Sequence, residues 1–411
     1  MLLKFNLSTG DNPNNIKFKF NVNASQSPED PFELIDLKQK LNTYRNKIDN
    51  IKSEDWKKVR WYINEYDFLV KDPVINRAFY KYWEIINEFQ LFENYQENDT
   101  ILHCAEAPGG FIQGSNIFLQ LDRNNENKQN IKKQEVDEDG FIMVTSKKKQ
   151  KQDYKIYTIS LNKDLPKYKS YNLPSYNKNV INKHVCITYG KDKTGDINNW
   201  DNINYIKTLS KKNFYLITAD GGFDEGTDFN NKEQLHYLLI LSEIYSAISL
   251  QDFSGHFILK VFDIFTNTSI QLLYLLNLCY DEVYIYKPKT SRPTNSEKYI
   301  ICKNFKIDET TRENIISQLH NLLNKIQKTS SKYISFTLFD DFSIPKEFLN
   351  KISKINSKIL ETQCIYLEKA IELCSDKVFL ESYEENLEKS IEKRRIIFKQ
   401  WEELYNLNVY V

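Results

Sequence analysis

The sequence predicts an α/β protein: a Rossmann-like, mostly parallel sheet of seven strands with an antiparallel edge strand, plus a helical C-terminal region. Two observations lead there. Short runs rich in β-branched and aromatic residues alternate with amphipathic stretches through the middle of the chain, the pattern of a sheet covered by helices on both faces. Glycine occurs only 11 times in 411 residues, and all but Gly10 lie between residues 109 and 255, mostly just after the strand-like runs. A chain that otherwise avoids glycine uses it there for turns and for close approach of backbone to a ligand.

Residues 1–70 read as a mixed N-terminal flank, with turn chemistry at 11–15 and a helical stretch at 31–48. The central domain, 71–306, carries candidate strands at 100–105, 154–161, 184–188, 214–219, 256–262, 282–286 and 298–303, with helices at 231–250 and 267–278. Residues 287–297 leave no room for a crossover helix, so the last two strands are expected as an antiparallel pair at one edge. Residues 123–153 are rich in Asn, Lys, Gln and acidic groups and read as a solvated insertion. The plainer reading of its run Lys147-Lys148-Lys149-Gln150-Lys151, a surface loop, outweighs a dedicated RNA contact. Residues 307–411 place apolar positions at helical spacing among balanced charges, a helical accessory region.

Composition excludes several classes. Lys+Arg and Asp+Glu both number 56, so any nucleic-acid site must be a local basic surface and not a global polycation. A hydrophobic fraction of 41% is too high for a disordered chain. No apolar run approaches the roughly 18 residues of a membrane-spanning helix, and no membrane partner is expected. The six cysteines form no CxxC pair, which suggests neither a zinc site nor a disulfide framework. Reduced thiols and a cytoplasmic location are expected. The Asn- and Lys-heavy composition fits an AT-rich genome, a large cytoplasmic DNA virus or a protist.

Two glycine clusters carry chemistry. In His103-Cys104-Ala105-Glu106-Ala107-Pro108-Gly109-Gly110-Phe111 a strand ends in an acidic residue, turns through Pro-Gly-Gly and enters a helix. It is neither GxGxxG nor a P-loop, and its N–H groups suit a carboxylate or amino-acid-like ligand better than a triphosphate. In Ala219-Asp220-Gly221-Gly222-Phe223 an Asp stands at a strand end before two glycines. Lys260 lies within the next strand and Glu297 opens the last one. A lysine inside a buried sheet is costly unless paired. A structural ion pair explains one such residue; three charged groups on one rim point to a site.

These runs, with Gly255-His256-Phe257-Ile258-Leu259-Lys260-Val261-Phe262-Asp263 and the stretch from Lys287-Pro288-Lys289 to Ser296-Glu297-Lys298-Tyr299, resemble the FtsJ/RrmJ-like ribose 2′-O-methyltransferases. Within them the sequence is most similar to the mRNA cap 2′-O-methyltransferases of eukaryotes and viruses, over about residues 74–306. The resemblance implies S-adenosylmethionine as cofactor, 5′-capped mRNA as substrate, other capping or transcription proteins as partners, and no metal or DNA. It implies a Lys-Asp-Lys-Glu tetrad of Lys81, Asp220, Lys260 and Glu297, with Lys81 taken from Asn76-Arg77-Ala78-Phe79-Tyr80-Lys81. It implies cofactor contacts from Asn76, Glu106, Ala107, Pro108, Gly109, Gly110, Phe111, Asp196 and Asp220. For Asp196 a helix N-cap stays open as the plainer reading. Relatives often carry an acidic residue where the second strand ends Ile159-Ser160-Leu161-Asn162, which leaves the ribose ligand unassigned.

On this reading neutral Lys260 takes the proton of a ribose 2′-hydroxyl, with desolvation and Lys81 expected to lower its pKa while Asp220 and Glu297 oppose that shift and orient the two lysines. Lys287, Lys289, Arg292 and Lys298 are expected on RNA phosphates. Phe223, Tyr284 and Tyr286 are available for stacking but read first as core, and Phe229-Asn230 as a cap contact. Methylation of ribosomal or transfer RNA, and a non-catalytic RNA-binding subunit that keeps the fold, are the rival readings.

Overall fold

The computed structural model describes residues 3–11, 18–24, 30–66, 74–96, 98–131, 154–222, 229–329, 333–339 and 344–407. In chain order these hold β1 (Leu3–Asn6), β2 (Phe18–Ala24), α1 (Phe32–Ile48), α2 (Ser53–Ile63), α3 (Ala78–Glu88), β3 (Thr100–Cys104), α4 (Gly110–Ile131), β4 (Lys155–Ile159) and β5 (Val185–Thr188). They continue as α5 (Trp200–Ser210), β6 (Phe214–Ala219), α6 (Lys232–Leu235), α7 (Tyr237–Leu250), β7 (Gln251–Val261), α8 (Asn267–Cys279), β8 (Tyr280–Lys287) and β9 (Lys298–Phe305). The C-terminal part adds α9 (Glu309–Gln327), β10 (Ile334–Phe339), α10 (Lys346–Ser375), α11 (Lys377–Glu381) and α12 (Tyr383–Leu404).

All seven candidate strands form, and an eighth joins them in the order β1-β8-β9-β7-β6-β3-β4-β5. Strands β7, β6, β3, β4 and β5 run parallel, whereas β9 is inserted antiparallel between β7 and β8. The expected antiparallel edge forms, one strand wider than expected. β8 is covered by β1, which pairs Leu3 with Lys287 and Asn6 with Tyr284. A run of four residues is too short for its period to be read as a strand. A second sheet pairs β2 with β10, from opposite ends of the chain. It corrects the purely helical reading of 307–411, because Ile334–Phe339 is an apolar run too short to be told from helix by periodicity. The region expected as an insertion begins as helix, since α4 runs through to Ile131; residues 132–153 lie outside the described residues.

Strand residues alternate between two cores, as the period of two requires. Leu102, Ile217, Leu259 and Ile300 face a core built with α7, α8, α9 and α10. Ile101, Leu216, Ile258 and Ile301 face another, built with α3, α4 and α12. Burial on both faces explains why these strands read as nearly continuous apolar runs. The C-terminal helices are part of this packing. Trp83 on α3 donates its indole N–H to the Tyr405 carbonyl at 3.0 Å, and Tyr80 meets Phe398 and Trp401 edge-on at 5.7 Å.

Arg312 on α9 ties that helix to the end of α7, donating Nε to the Ile248 carbonyl at 2.8 Å and Nη2 to the Ser249 carbonyl at 2.9 Å. A cation at a helix C-terminus also complements the helix dipole. Arg312→Leu leaves those carbonyls buried and unpaired, and is expected to cost about 2 kcal/mol in urea unfolding. An unchanged midpoint would show that the contact contributes nothing.

Candidate active site

Register places the charged groups. Ala219 pairs with Leu259 across β6 and β7, so Asp220 and Lys260 leave their strands side by side. Lys260 pairs in turn with Tyr299 on antiparallel β9, which brings Glu297, just before that strand, to the same rim. α3 crosses above and delivers Lys81. Lys81 Nζ lies 2.9 Å from Glu297 Oε1, and Lys260 Nζ lies 3.3 Å from Asp220 Oδ1 and donates to the Asp220 carbonyl at 2.7 Å. Two further hydroxyls fix the carboxylates: Tyr299 donates to Asp220 Oδ1 at 2.9 Å and Ser291 to Glu297 Oε1 at 2.8 Å. The four residues expected to act together are together, as two neighbouring ion pairs.

The electrostatics correct one expectation. Burial alone pushes the Lys260 ammonium down, but Asp220, Glu297 and Glu243 outweigh it and hold it above its ordinary value. Burial also opposes ionisation of Glu297, yet Lys81, Lys260 and Lys287 keep its carboxyl well below the usual range. Lys260 is therefore an ammonium at neutral pH in this state.

Glu243 is a site residue the sequence analysis missed. It is 1% exposed on α7, and its Oε1 accepts from the Gly221 N–H at 3.2 Å, beneath the loop that follows Asp220. Only its helical spacing was legible, and that reads as core. Burial pushes its carboxyl up to about 8, with Lys260 opposing.

The turn at 106–111 is pinned from several sides. Glu106 Oε1 accepts from the Phe111 N–H at 2.5 Å, and the Ala107 N–H donates to Ser160 Oγ at 3.1 Å. Burial, reinforced by Asp220, pushes the Glu106 carboxyl well above its ordinary value. At Gly110 a Cβ would come within 2.3 Å of Asn76 Oδ1, which accepts from the Ala78 N–H to start α3. At Gly195, with φ of +71°, a Cβ would lie 1.8 Å from the Ser160 carbonyl. Both turns thus need glycine to close the same cradle. Asp196 follows, half-buried, with Oδ1 accepting from the Asn198 N–H at 2.9 Å. It does not cap α5, whose N-cap is Asn199. Beyond the ends of β4 and β5 lies a cavity of about 460 Å³, walled by Leu161, Tyr176 and Tyr189. Asn162, just beyond the end of β4, donates Nδ2 to the Lys193 carbonyl at 3.1 Å.

The profile of the FtsJ-like methyltransferase family matches residues 74–305, more than half of the chain. The chain belongs to that family. Its sequence is 25% identical over 76% of the chain to cap-specific mRNA (nucleoside-2′-O-)-methyltransferase 2 of Drosophila melanogaster. It is 38% identical over 34% of the chain to cap-specific mRNA (nucleoside-2′-O-)-methyltransferase 1 of Mus musculus. The chain spans only 42% of the first relative's length and 18% of the second's. A solved structure of a putative ribosomal RNA methyltransferase from Plasmodium falciparum matches 56% of this chain and 97% of that one, with 20% identity and a TM-score of 0.37. The FtsJ-like family uses S-adenosylmethionine as methyl donor. The chain fits that cofactor: two glycine-closed turns meet at the strand ends beside the ion pairs, and an aromatic-walled cavity continues from them.

Two of the four residues expected on phosphates turn inward in this FtsJ-like domain. Lys287 is buried and donates to Asn295 Oδ1 at 2.6 Å and to the Glu297 carbonyl at 2.7 Å. Lys298 is buried, donates to the Phe262 carbonyl, and is pushed down to about 8 by burial against the pull of Asp263. Both hold the 287–297 loop instead of facing solvent. Lys289 and Arg292 are half-buried at its surface, Lys289 over the Tyr405 ring. Arg292 has company that went unread. Arg77 donates Nη2 to the Thr290 carbonyl at 2.6 Å, and its guanidinium is lowered to about 10 by burial and by Arg292. Burial and Arg292 likewise lower Arg60 on α2. Arg77 stands inside the segment that supplied Lys81, whereas Arg60 had no local signal. Tyr286 is core, as its plainer reading held, and Phe223 lies outside the described residues. Asn230 Nδ2 donates to Asn46 Oδ1 at 3.3 Å.

Glu84 was also missed, although it sits one turn after Lys81. Its buried Oε1 accepts from Tyr286 at 2.6 Å and from the Lys289 N–H at 2.7 Å. Its Oε2 accepts from Thr290 Oγ1 and from the Trp401 indole, each at 3.1 Å.

A carboxyl raised on folding contributes in full below its ordinary value, and that contribution is lost as pH rises through its folded value. For Glu243 the window runs from 4.5 to about 8. Glu243→Gln is expected to gain in melting temperature relative to the unsubstituted chain across that window and not below it. A difference that does not vary with pH would contradict a buried neutral carboxyl.

Proposed function

We propose that this chain methylates the 2′-hydroxyl of RNA ribose with S-adenosylmethionine, and that its substrate is 5′-capped mRNA at the first transcribed nucleotide. The observation that carries the reaction is the pairing of Lys81 with Glu297 and Lys260 with Asp220 on one rim, next to the glycine-closed turns. The cap assignment is supported by relatives that are cap-specific mRNA 2′-O-methyltransferases, with which this chain shares part of their length.

Each residue has a task its geometry allows. Lys260 Nζ accepts the 2′-hydroxyl proton once it has lost its own, so that the ribose oxygen attacks as O–CH3 forms and S–CH3 breaks. Asp220 orients Lys260 through both its carboxylate and its carbonyl, and Tyr299 holds that carboxylate still. Glu297 fixes Lys81, whose ammonium stands beside the developing alkoxide. Alignment of hydroxyl and methyl supplies much of the remaining rate. When bound, S-adenosylmethionine supplies the methyl as an electrophilic sulfonium, and its positive charge disfavours a protonated amine nearby. Arg60, Arg77, Lys289 and Arg292 border the site and suit phosphate oxygens.

Labelled methyl transfer to matched capped and uncapped RNAs, with the product nucleoside identified, tests the proposal. Transfer only to the nucleotide next to the cap is expected; equal transfer to uncapped RNA would move the substrate to ribosomal or transfer RNA. No transfer despite cofactor binding would favour a non-catalytic role. Lys260→Ala is expected to lower kcat by about 100-fold or more with cofactor affinity retained; undiminished turnover would overturn the base assignment. Because carboxylates hold the Lys260 ammonium up, kcat is expected to rise from neutral into alkaline pH. A flat profile would remove Lys260 from the proton transfer.

A further inference from the structure

Behind the loop that presents Glu297 lies a cavity of about 330 Å³, between the end of α2 and the middle of α10. That is at the lower end of small-ligand sites, which span about 300–1,000 Å³. Lys287, Ser291 and Asn295 line it on the loop side, and Tyr66 and Tyr366 from the two helical sides. Asn64, which caps the end of α2, completes it.

We propose that this cavity is a subsite for a nucleobase of the RNA that flanks the nucleotide being methylated. The inference rests on the methyltransferase reading and adds to it a second contact with the substrate.

Three features select a base over other ligands. Asn64 is 1% exposed, and its Oδ1 accepts from the Tyr66 N–H at 3.3 Å while its Nδ2 meets no hydrogen-bond partner among the described residues. A buried donor of this kind is satisfied by the carbonyl or ring nitrogen of a base. Two tyrosines line the cavity, and aromatic side chains are the usual platform for unstacked RNA bases. Charge argues against an ionic ligand. The Lys287 ammonium is consumed by Ser291, Asn295 and the Glu297 carbonyl, and Glu65 at the mouth is paired with Lys393 at 3.1 Å.

Position links the cavity to the reaction. Ser291, on its wall, donates to Glu297 Oε1, and Lys287 holds the Glu297 backbone, so one layer of side chains separates cavity and ion pairs. Arg60 stands one turn before Asn64 on α2, and Arg292 lies on the same loop. A strand with its ribose at Lys260 would run its phosphates past these guanidinium groups, which also depress one another and so favour an anion between them. A base held here would press on the loop that sets Glu297.

The test is the affinity of the full chain for fluorescein-labelled RNAs, read by anisotropy, beside KM and kcat for the same RNAs. Tyr366→Ala is expected to weaken RNA binding and raise KM by about tenfold or more, as loss of one stacked base does. Tyr366→Phe keeps the ring and should restore wild-type affinity. Asn64→Asp keeps the oxygen that accepts from Tyr66 but removes the NH2 group, and is expected to weaken binding as well; it serves if Tyr366→Ala does not fold. A loss seen with a capped dinucleotide assigns the base to the cap side, and a loss seen only with longer RNA assigns it downstream. Unchanged affinity and KM in folded Tyr366→Ala and Asn64→Asp would overturn the subsite while leaving methyl transfer intact. Weakened RNA binding in a chain that transfers no methyl would keep the subsite and reject the enzyme reading.

Discussion

The rim where β6 and β7 end and β9 begins must hold two ammonium groups and two carboxylates out of bulk water. Isolated, each would cost several kcal/mol. Paired at 2.9 and 3.3 Å, with hydroxyls from Ser291 and Tyr299 on the carboxylates, they form an arrangement that tolerates little displacement. Much of the surrounding structure can be understood as fixing the three elements that carry them. The inserted strand β9 brings Glu297 in from the far side of β7, and buried Lys287 and Lys298 brace the ends of the loop before it.

The third element, α3, lies outside the sheet and needs its own anchor. Glu84 supplies it, a buried carboxylate bonded entirely to neutral donors. Those donors come from β8, the loop after it and α12, so one side chain joins Lys81's helix to the Glu297 loop and to the C-terminal region. The C-terminal helices therefore belong to the architecture of the site. The end of α12 covers α3 through Phe398, Trp401 and Tyr405, and α10 forms one wall of the cavity behind the loop.

The same burial creates a tension for the proposed role of Lys260 as a base. Three carboxylates around Lys260 stabilise its charged form, whereas a base must be neutral. Binding of a cationic cofactor and of an RNA phosphate chain would shift the balance in opposite directions, so Lys260's state depends on what is bound.

The parallel core and most of the charged rim are legible in the amino-acid sequence. Seven strands, the two glycine turns and Asp220, Lys260 and Glu297 are legible because strand ends, glycine and buried charge each leave a local mark. Tertiary structure alone decided what depends on residues far apart in the chain. Strand Leu3–Asn6 and the β2–β10 pair gain their stability from partners at the other end of the sequence. Lys287 and Lys298 look like surface cations until the loop folds over them. Glu84 and Glu243 sit at ordinary helical positions and Asn64 just past a helix end, and only packing turns them into buried polar groups. A pattern of residue types records which face is buried, but not which donors will meet there.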